Sequence, residues 1–282
     1  MDLSIIIVNY KNREKLFNCL DSLTAATLGA LRREVIVVDN HSGDDLSTLP
    51  CRYPKVKFIA SPRNRGMGGG NNLGLDKASG DYLLILNPDT IVNGPAVETL
   101  LAYLRQNPEV GVVGPKLLYP DGALQSSCAR FPSFFMPVLR RTFLGDYFRA
   151  SRDLFTMNDF DHSTIKEVDW LMGSCLLFRR EIVLADSRIF RPRFDERYFM
   201  YFEDTDLCRQ MWRRGLKVVY NPEAIIIHDH ARQSARHPWY VAIFIDPLTW
   251  RHIASWLKYF FKWGLRREKG SPGKQVPFKL PA

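Results

Sequence analysis

At 282 residues, 46% hydrophobic and 24% charged, the chain is long enough to bury a core around one α/β unit with appendages, and its balance excludes collagen-like, low-complexity and acidic-tail classes. The net charge of +9 is concentrated, because residues 228–282 hold ten Lys/Arg against three Asp/Glu. Such a stretch can meet an anionic membrane, nucleic acid or water. No nucleic-acid-binding motif accompanies the charge, so a nucleic-acid partner is not expected.

The first part of the chain alternates short β-branched runs with segments of helical spacing, the pattern of a mostly parallel sheet covered by helices. Ser4–Val8 reads as a buried strand and Arg13–Leu23 as a helix with Leu16, Leu20 and Leu23 on one face. Glu34–Val38, Val56–Ile59 and Tyr82–Leu86 read as further strands, Asn71–Ala78 as a short helix, and Pro95–Arg105 as a longer one with proline in its first turn. Val110–Val113 closes the pattern. Residues 120–166 hold prolines, aromatics and arginine pairs without a sustained period, and are expected to vary with substrate. Order returns over Val168–Phe178, then in a helix over Leu207–Arg214 and a strand over Val218–Ile227.

From Pro247 onward Trp250, Ile253, Trp256, Leu257, Phe260, Phe261 and Leu265 recur at helical spacing, with Arg251, Lys258, Lys262, Arg266 and Arg267 between them. That composition suits a helix lying on an anionic membrane. A terminal helix docked on its own core has the same period. No run reaches the roughly 18 apolar residues of a membrane span, and no signal peptide is expected after Asp2. The five widely spaced cysteines, without a Cys-x-x-Cys pair, fit a reducing cytosol. The expected location is therefore the cytoplasm, at the inner face of the cell membrane.

In open α/β sheets ligands bind beyond the carboxyl ends of the strands. Here those ends are polar: Asn9 and Tyr10 after the first strand, Asp39 and Asn40 after the second, Asn87-Pro88-Asp89 after the fourth. Asp89 is a candidate ligand for a hard divalent cation bridging a diphosphate. The glycine-rich segment Asn64–Gly74 follows the third strand and lacks the Gly-x-Gly-x-x-Gly spacing, which argues against a dinucleotide oxidoreductase and leaves close approach to a nucleotide sugar. Asn72 is available there to cap a helix or bond the ligand. Phe199-Met-Tyr-Phe-Glu-Asp-Thr-Asp206 sets acids among aromatics, a setting that suits a general base. Acids at a helix start are the structural alternative. His228 and His230 after a strand form a candidate metal site.

Taken in order, Ser4–Lys11, Val37–Asn40, Asn64–Gly66 through Asn72–Gly74, Gly80–Asp89, Trp170–Gly173 and Phe202–Asp206 resemble the family 2 glycosyltransferases of the GT-A fold, in particular the rhamnosyltransferase-like branch of surface-polysaccharide synthesis. The resemblance implies that Asn9, Tyr10, Asp39 and Asn40 hold the nucleoside, and that Gly66 to Asn72 line the donor pocket. Asp89 takes the final place of the metal-binding Asp-x-Asp, with Asn87 at the earlier one, and His228 completes the site for Mn2+ or Mg2+. Asp204 stands at the catalytic base with Glu203 beside it, and Trp170 and Gly173 stand where acceptor contacts fall. The implied partners are a nucleotide-diphosphate sugar, with dTDP-rhamnose the first choice, and a lipid-linked glycan. UDP-hexoses, N-acetylhexosamines or galactofuranose are alternatives, as is a glycan- or nucleotide-binding module without catalysis. The expected organisation is a nucleotide-sugar part over residues 1–115, an acceptor and catalytic part over 116–234, and a basic amphipathic tail over 235–282.

Overall fold

The computed structural model describes residues 1–26, 31–141, 147–184, 193–229, 246–265 and 270–272. The strands are β1 (Leu3–Asn9), β2 (Arg33–Asp39), β3 (Val56–Ala60), β4 (Tyr82–Leu86), β5 (Thr90–Val92), β6 (Val110–Leu118), β7 (Leu124–Gln125), β8 (Cys128–Ala129), β9 (Lys166–Glu167), β10 (Trp170–Leu171), β11 (Cys175–Arg179) and β12 (Lys217–His228). The helices are α1 (Arg13–Ala25), α2 (Leu49–Arg52), α3 (Gly66–Leu75), α4 (Ala96–Gln106), α5 (Met136–Arg141), α6 (Arg149–Thr156), α7 (Arg180–Leu184), α8 (Glu203–Arg213) and α9 (Pro247–Trp263).

The main sheet runs β3-β2-β1-β4-β11-β6-β12-β5. Its first four strands are parallel, β11 is antiparallel to β4 and β6, and β6 is parallel to β12. Strand β1 is buried along its whole length because helices cover both faces, which is why it reads as an unbroken apolar run. On one face Ile5 and Ile7 pack with Leu16 and Leu20 of α1 and Leu100 and Leu104 of α4; on the other Ile6 and Val8 pack with Leu75 of α3 and Leu207 and Met211 of α8. The expected GT-A-like α/β architecture, a mostly parallel sheet between helices followed by a C-terminal helix, is what forms.

Three sequence expectations need correction. The helix expected over Asn71–Ala78 starts at Gly66, so the glycines are helical. Their purpose is close packing: a Cβ on Gly74 would lie 2.3 Å from Ile6 Cγ2, and one on Gly70 would lie 2.7 Å from Val8 Cγ1. Low helix propensity hid the helix, while tertiary contact with β1 holds it. The helix expected over Leu207–Arg214 starts at Glu203, which puts Glu203 and Asp204 in its first turn, where carboxylates are favoured by the exposed amides. Residues 120–166 are not patternless, since a Tyr119–Gly122 turn returns the chain antiparallel to β6 as β7, and β8 pairs with β10.

The docked reading of the C-terminal segment is what forms on one side of α9, while its other side is exposed. Tyr259, Phe260 and Trp263 are buried against Tyr198 and Phe202, and Ser255 is buried with its hydroxyl on the Met200 carbonyl. Trp250, Leu257, Phe261 and Leu265 are exposed, Phe261 to 93%. Phe260 and Phe261 therefore fall on either side of the boundary between the buried and exposed faces, and Lys262 belongs to the docked side. Arg266 and Arg267 lie outside the described residues.

Candidate active site

The carboxyl ends of β1, β2 and β4 lie side by side, with Asn9 level with Asp39 and Ile7 with Leu86. Asn9 is fully buried, and its amide reaches Asp44 (2.9 Å), Asp39 (3.3 Å) and Ser42 (3.3 Å). It orders a group of polar side chains at the sheet edge, and Asp44 and Ser42 are members that the sequence reading missed. Asp39 stays half-exposed at its edge, and Tyr10 beyond β1 is 38% exposed with Lys11 Nζ 5.5 Å from its ring centre. Asn40 is buried and committed to the glycine segment: its amide nitrogen donates to Asn64 and to the Gly66 carbonyl, and its oxygen accepts from the Arg65 amide.

Gly66 has φ +74°, and a Cβ there would meet the Phe199 carbonyl oxygen at 2.1 Å, so only glycine fits. Met67 donates its N–H to that same oxygen. Asn72, expected as a cap or ligand contact, is inside α3 and donates to the Phe194 carbonyl (2.8 Å) and to Glu196 (3.1 Å). The start of α3 is thereby stitched to residues 194–199, the segment that leads into the acidic helix.

Asp204 accepts from the Gly173 amide at 3.0 Å and from the Thr205 amide at 2.6 Å. Ser174, next to Gly173, accepts from the Asn87 amide at 2.9 Å. This chain of contacts carries the acid of α8 to the turn after β4, so Asp204, Gly173 and Asn87 come together. Burial raises the proton affinity of Asp204 against the pull of those two amides. Glu203, with one carboxylate oxygen buried and unbonded, is pushed up to about 8 by burial, with the charge of Asp204 adding to it. Trp170 is placed differently: its indole N–H donates to the Arg130 carbonyl (2.8 Å), and its ring lies beside Phe155.

The turn Asn87–Thr90 is closed by Thr90 donating to the Asn87 carbonyl. It sets Asp89 Oδ1 3.2 Å from Nε2 of His228, with the Asp side chain 16% exposed and the His 1%. Thr90 pairs with His228 across β5 and β12, and the Asp229 amide donates to the Asp89 carbonyl, so backbone fixes the pair. His230 lies outside the described residues. A carboxylate oxygen and an imidazole nitrogen facing each other at this distance fit a divalent ion. Among the described residues no group of three or more His, Cys, Asp or Glu side chains could share one ion. An ion held by Asp89 and His228 alone would need water or phosphate oxygens as its other ligands, as Mg2+ commonly does.

The sequence reading also missed Gln125, whose amide oxygen lies 2.6 Å from His228 Nδ1 with both residues buried. Pro120-Asp121-Gly122, a turn signature between two apolar stretches, is the signal that would have located it.

Residues 4–183 match the family model described as glycosyl transferase family 2. Among curated proteins, the N-acetylglucosaminyl-diphospho-decaprenol L-rhamnosyltransferase of Mycobacterium tuberculosis is 30% identical over 250 residues, covering 84% of this chain and 78% of that one. The rhamnosyltransferase WbbL of Escherichia coli K12 is 26% identical over 263 residues, covering 90% and 91%. Among solved structures, the mannosyltransferase PcManGT from Pyrobaculum calidifontis, in complex with GDP-Man and Mn2+, superposes with a TM-score of 0.56 at 17% identity, covering 83% of this chain and 58% of that one. The last comparison speaks to fold alone.

Proposed function

Since the chain belongs to glycosyl transferase family 2 and is a glycosyltransferase, we propose that it is an inverting, divalent-metal-dependent enzyme. Its donor is a nucleotide-diphosphate sugar, dTDP-L-rhamnose as first choice, and its acceptor a lipid-linked glycan of surface-polysaccharide synthesis. The observation that carries this reading is the meeting of a half-buried, amide-oriented Asp204 with the turn that bears Asp89, whose carboxylate faces His228 at the end of β12. The rhamnose donor rests on the two rhamnosyltransferase relatives.

Asp204 takes the proton of the acceptor hydroxyl as that oxygen attacks the anomeric carbon. The bond to the diphosphate breaks, the leaving oxygen keeps the electron pair, and configuration inverts in one displacement. Burial suits Asp204 to the task because it raises basicity, while the Gly173 and Thr205 amides hold the carboxylate in one orientation. Asn9 and Asp39 form the nucleoside end of the site. Asp89 and His228 would hold the ion, which when bound neutralises charge on the diphosphate.

The docked helix α9 presents Trp250, Leu257 and Phe261 outward beside Arg251 and Lys258, with Leu265 exposed just past its end, an arrangement suited to an anionic bilayer surface on the cytoplasmic side. No helix among the described residues is long and apolar enough to cross a membrane.

The test is a panel of dTDP-, UDP- and GDP-sugars scored by thermal protection with and without Mn2+, followed by transfer assays. The expected result is protection by dTDP-rhamnose that requires metal. Asp204→Asn should keep that protection and lower transfer by at least about a hundredfold, the scale of general-base loss. Near-normal turnover in this variant refutes the base; protection by a UDP-sugar instead changes the donor.

A further inference from the structure

A histidine that serves as a metal ligand through Nε2 must carry its proton on Nδ1, and the partner of Nδ1 decides this. At His228 that partner is Gln125 Oε1, 2.6 Å away. The side-chain nitrogen of Gln125 has no hydrogen-bond partner among the described residues, so His228 is the contact that holds this buried amide.

The placement is built into the sheet. The Gly122 amide donates to the Tyr119 carbonyl, Gly122 has φ +85°, and Ala123 donates to Asp121, which together turn the chain back onto β6. Gln125 then pairs with Leu117, while on the other side of β6 Leu117 pairs with Ile226 of β12. One strand, β6, thus separates Gln125 from the end of β12, and at this level its side chain reaches His228.

We propose that Gln125 is the positioning residue of the metal site: its amide oxygen accepts the Nδ1–H of His228 and turns the Nε2 lone pair toward Asp89, so that the two grip a divalent ion. This inference rests on the reading of the enzyme as metal-dependent. In the opposite tautomer Nε2–H would donate straight to Asp89, and the ion's place would be taken by that proton. A buried glutamine oxygen in contact with Nδ1 selects between a cation site and a closed His–Asp hydrogen bond.

Binding of Mn2+ in the presence of dTDP, followed by electron paramagnetic resonance, reads the effect without turnover. Gln125→Leu should weaken Mn2+ binding by about 10- to 100-fold, the usual cost of losing such an outer partner. Gln125→Glu keeps an acceptor oxygen and should bind Mn2+ at least as well as the parent chain. A folded Gln125→Leu chain with unchanged Mn2+ affinity, or a folded Gln125→Glu chain as weak as the leucine variant, overturns the proposal. Should the leucine variant not fold, the nitrogen-15 shifts of His228 in the metal-free parent chain decide: protonated Nδ1 supports the proposal and protonated Nε2 sinks it. Absence of Mn2+ binding by the parent chain removes the metal-dependent reading itself, an outcome distinct from failure of Gln125 alone.

Discussion

Glu203 and Asp204 differ in their surroundings although they are neighbours in sequence. Asp204 is met by two backbone amides, whereas Glu203 has a buried carboxylate oxygen with none, so burial keeps a proton on Glu203 up to about pH 8. The sign for stability follows from proton counting. Between the ordinary value of 4.5 and about 8 the folded chain holds a proton that the unfolded chain has lost, so this group's contribution to stability falls as pH rises through that window. Glu203→Gln mimics the protonated form at all pH values. Urea unfolding at pH 5 and pH 8 should therefore show the variant gaining on the parent chain as pH rises; a constant difference would mean that Glu203 is ionised when folded. At this scale Asp89 and His228 stood out as candidates because each lies at or just beyond the end of an apolar strand. Gln125 was not, since its partner lies 103 positions away and only the turn before it, not its own residue type, marks its place.

Among the elements, α9 supports the segment that leads into Glu203 and Asp204. Lys262 reaches Asp206 (2.8 Å) and Asp195 (2.9 Å), Trp263 Nε1 donates to Asp206 (2.5 Å), and Ser255 donates to the Met200 carbonyl (2.8 Å). These contacts brace the segment in which Tyr201 and Phe202 both take left-handed backbone angles just before Glu203, a conformation that costs of the order of 1–3 kcal/mol per residue and survives only where neighbours over-determine it. Trp263→Ala should destabilise the chain by about 3–5 kcal/mol, as large core truncations do. Phe261→Ala, two positions away and 93% exposed, should stay within about 0.5 kcal/mol. Equal losses in urea unfolding would contradict the two-faced helix. Periodicity alone cannot reveal this division, because aromatic residues occupy both sides and the choice is made by the cleft around Tyr198 and Phe202. Helix α3 shows the opposite limitation: its glycines hide a helix that exists because Ile6 and Val8 leave no room for side chains.

For the whole molecule, the parallel half of the sheet was readable because buried strands announce themselves as β-branched runs, whereas the antiparallel insertion of β11 between β4 and β6 depends on contacts that no local pattern encodes. The basic, aromatic face of α9 carries the membrane proposal at this scale. Sedimentation with vesicles containing phosphatidylglycerol should show binding that weakens with salt and is lost in Phe261→Ser with Leu257→Ser, while neutral vesicles bind less. Binding indifferent to those two substitutions would remove α9 as the contact. Helix α9 braces residues 195–206 with one side and turns the other outward. On a bilayer touched by its outward side, α9 would lie between the headgroups and residues 198–206, so the diameter of a helix, roughly 10–12 Å, would set the least height of that segment above the surface.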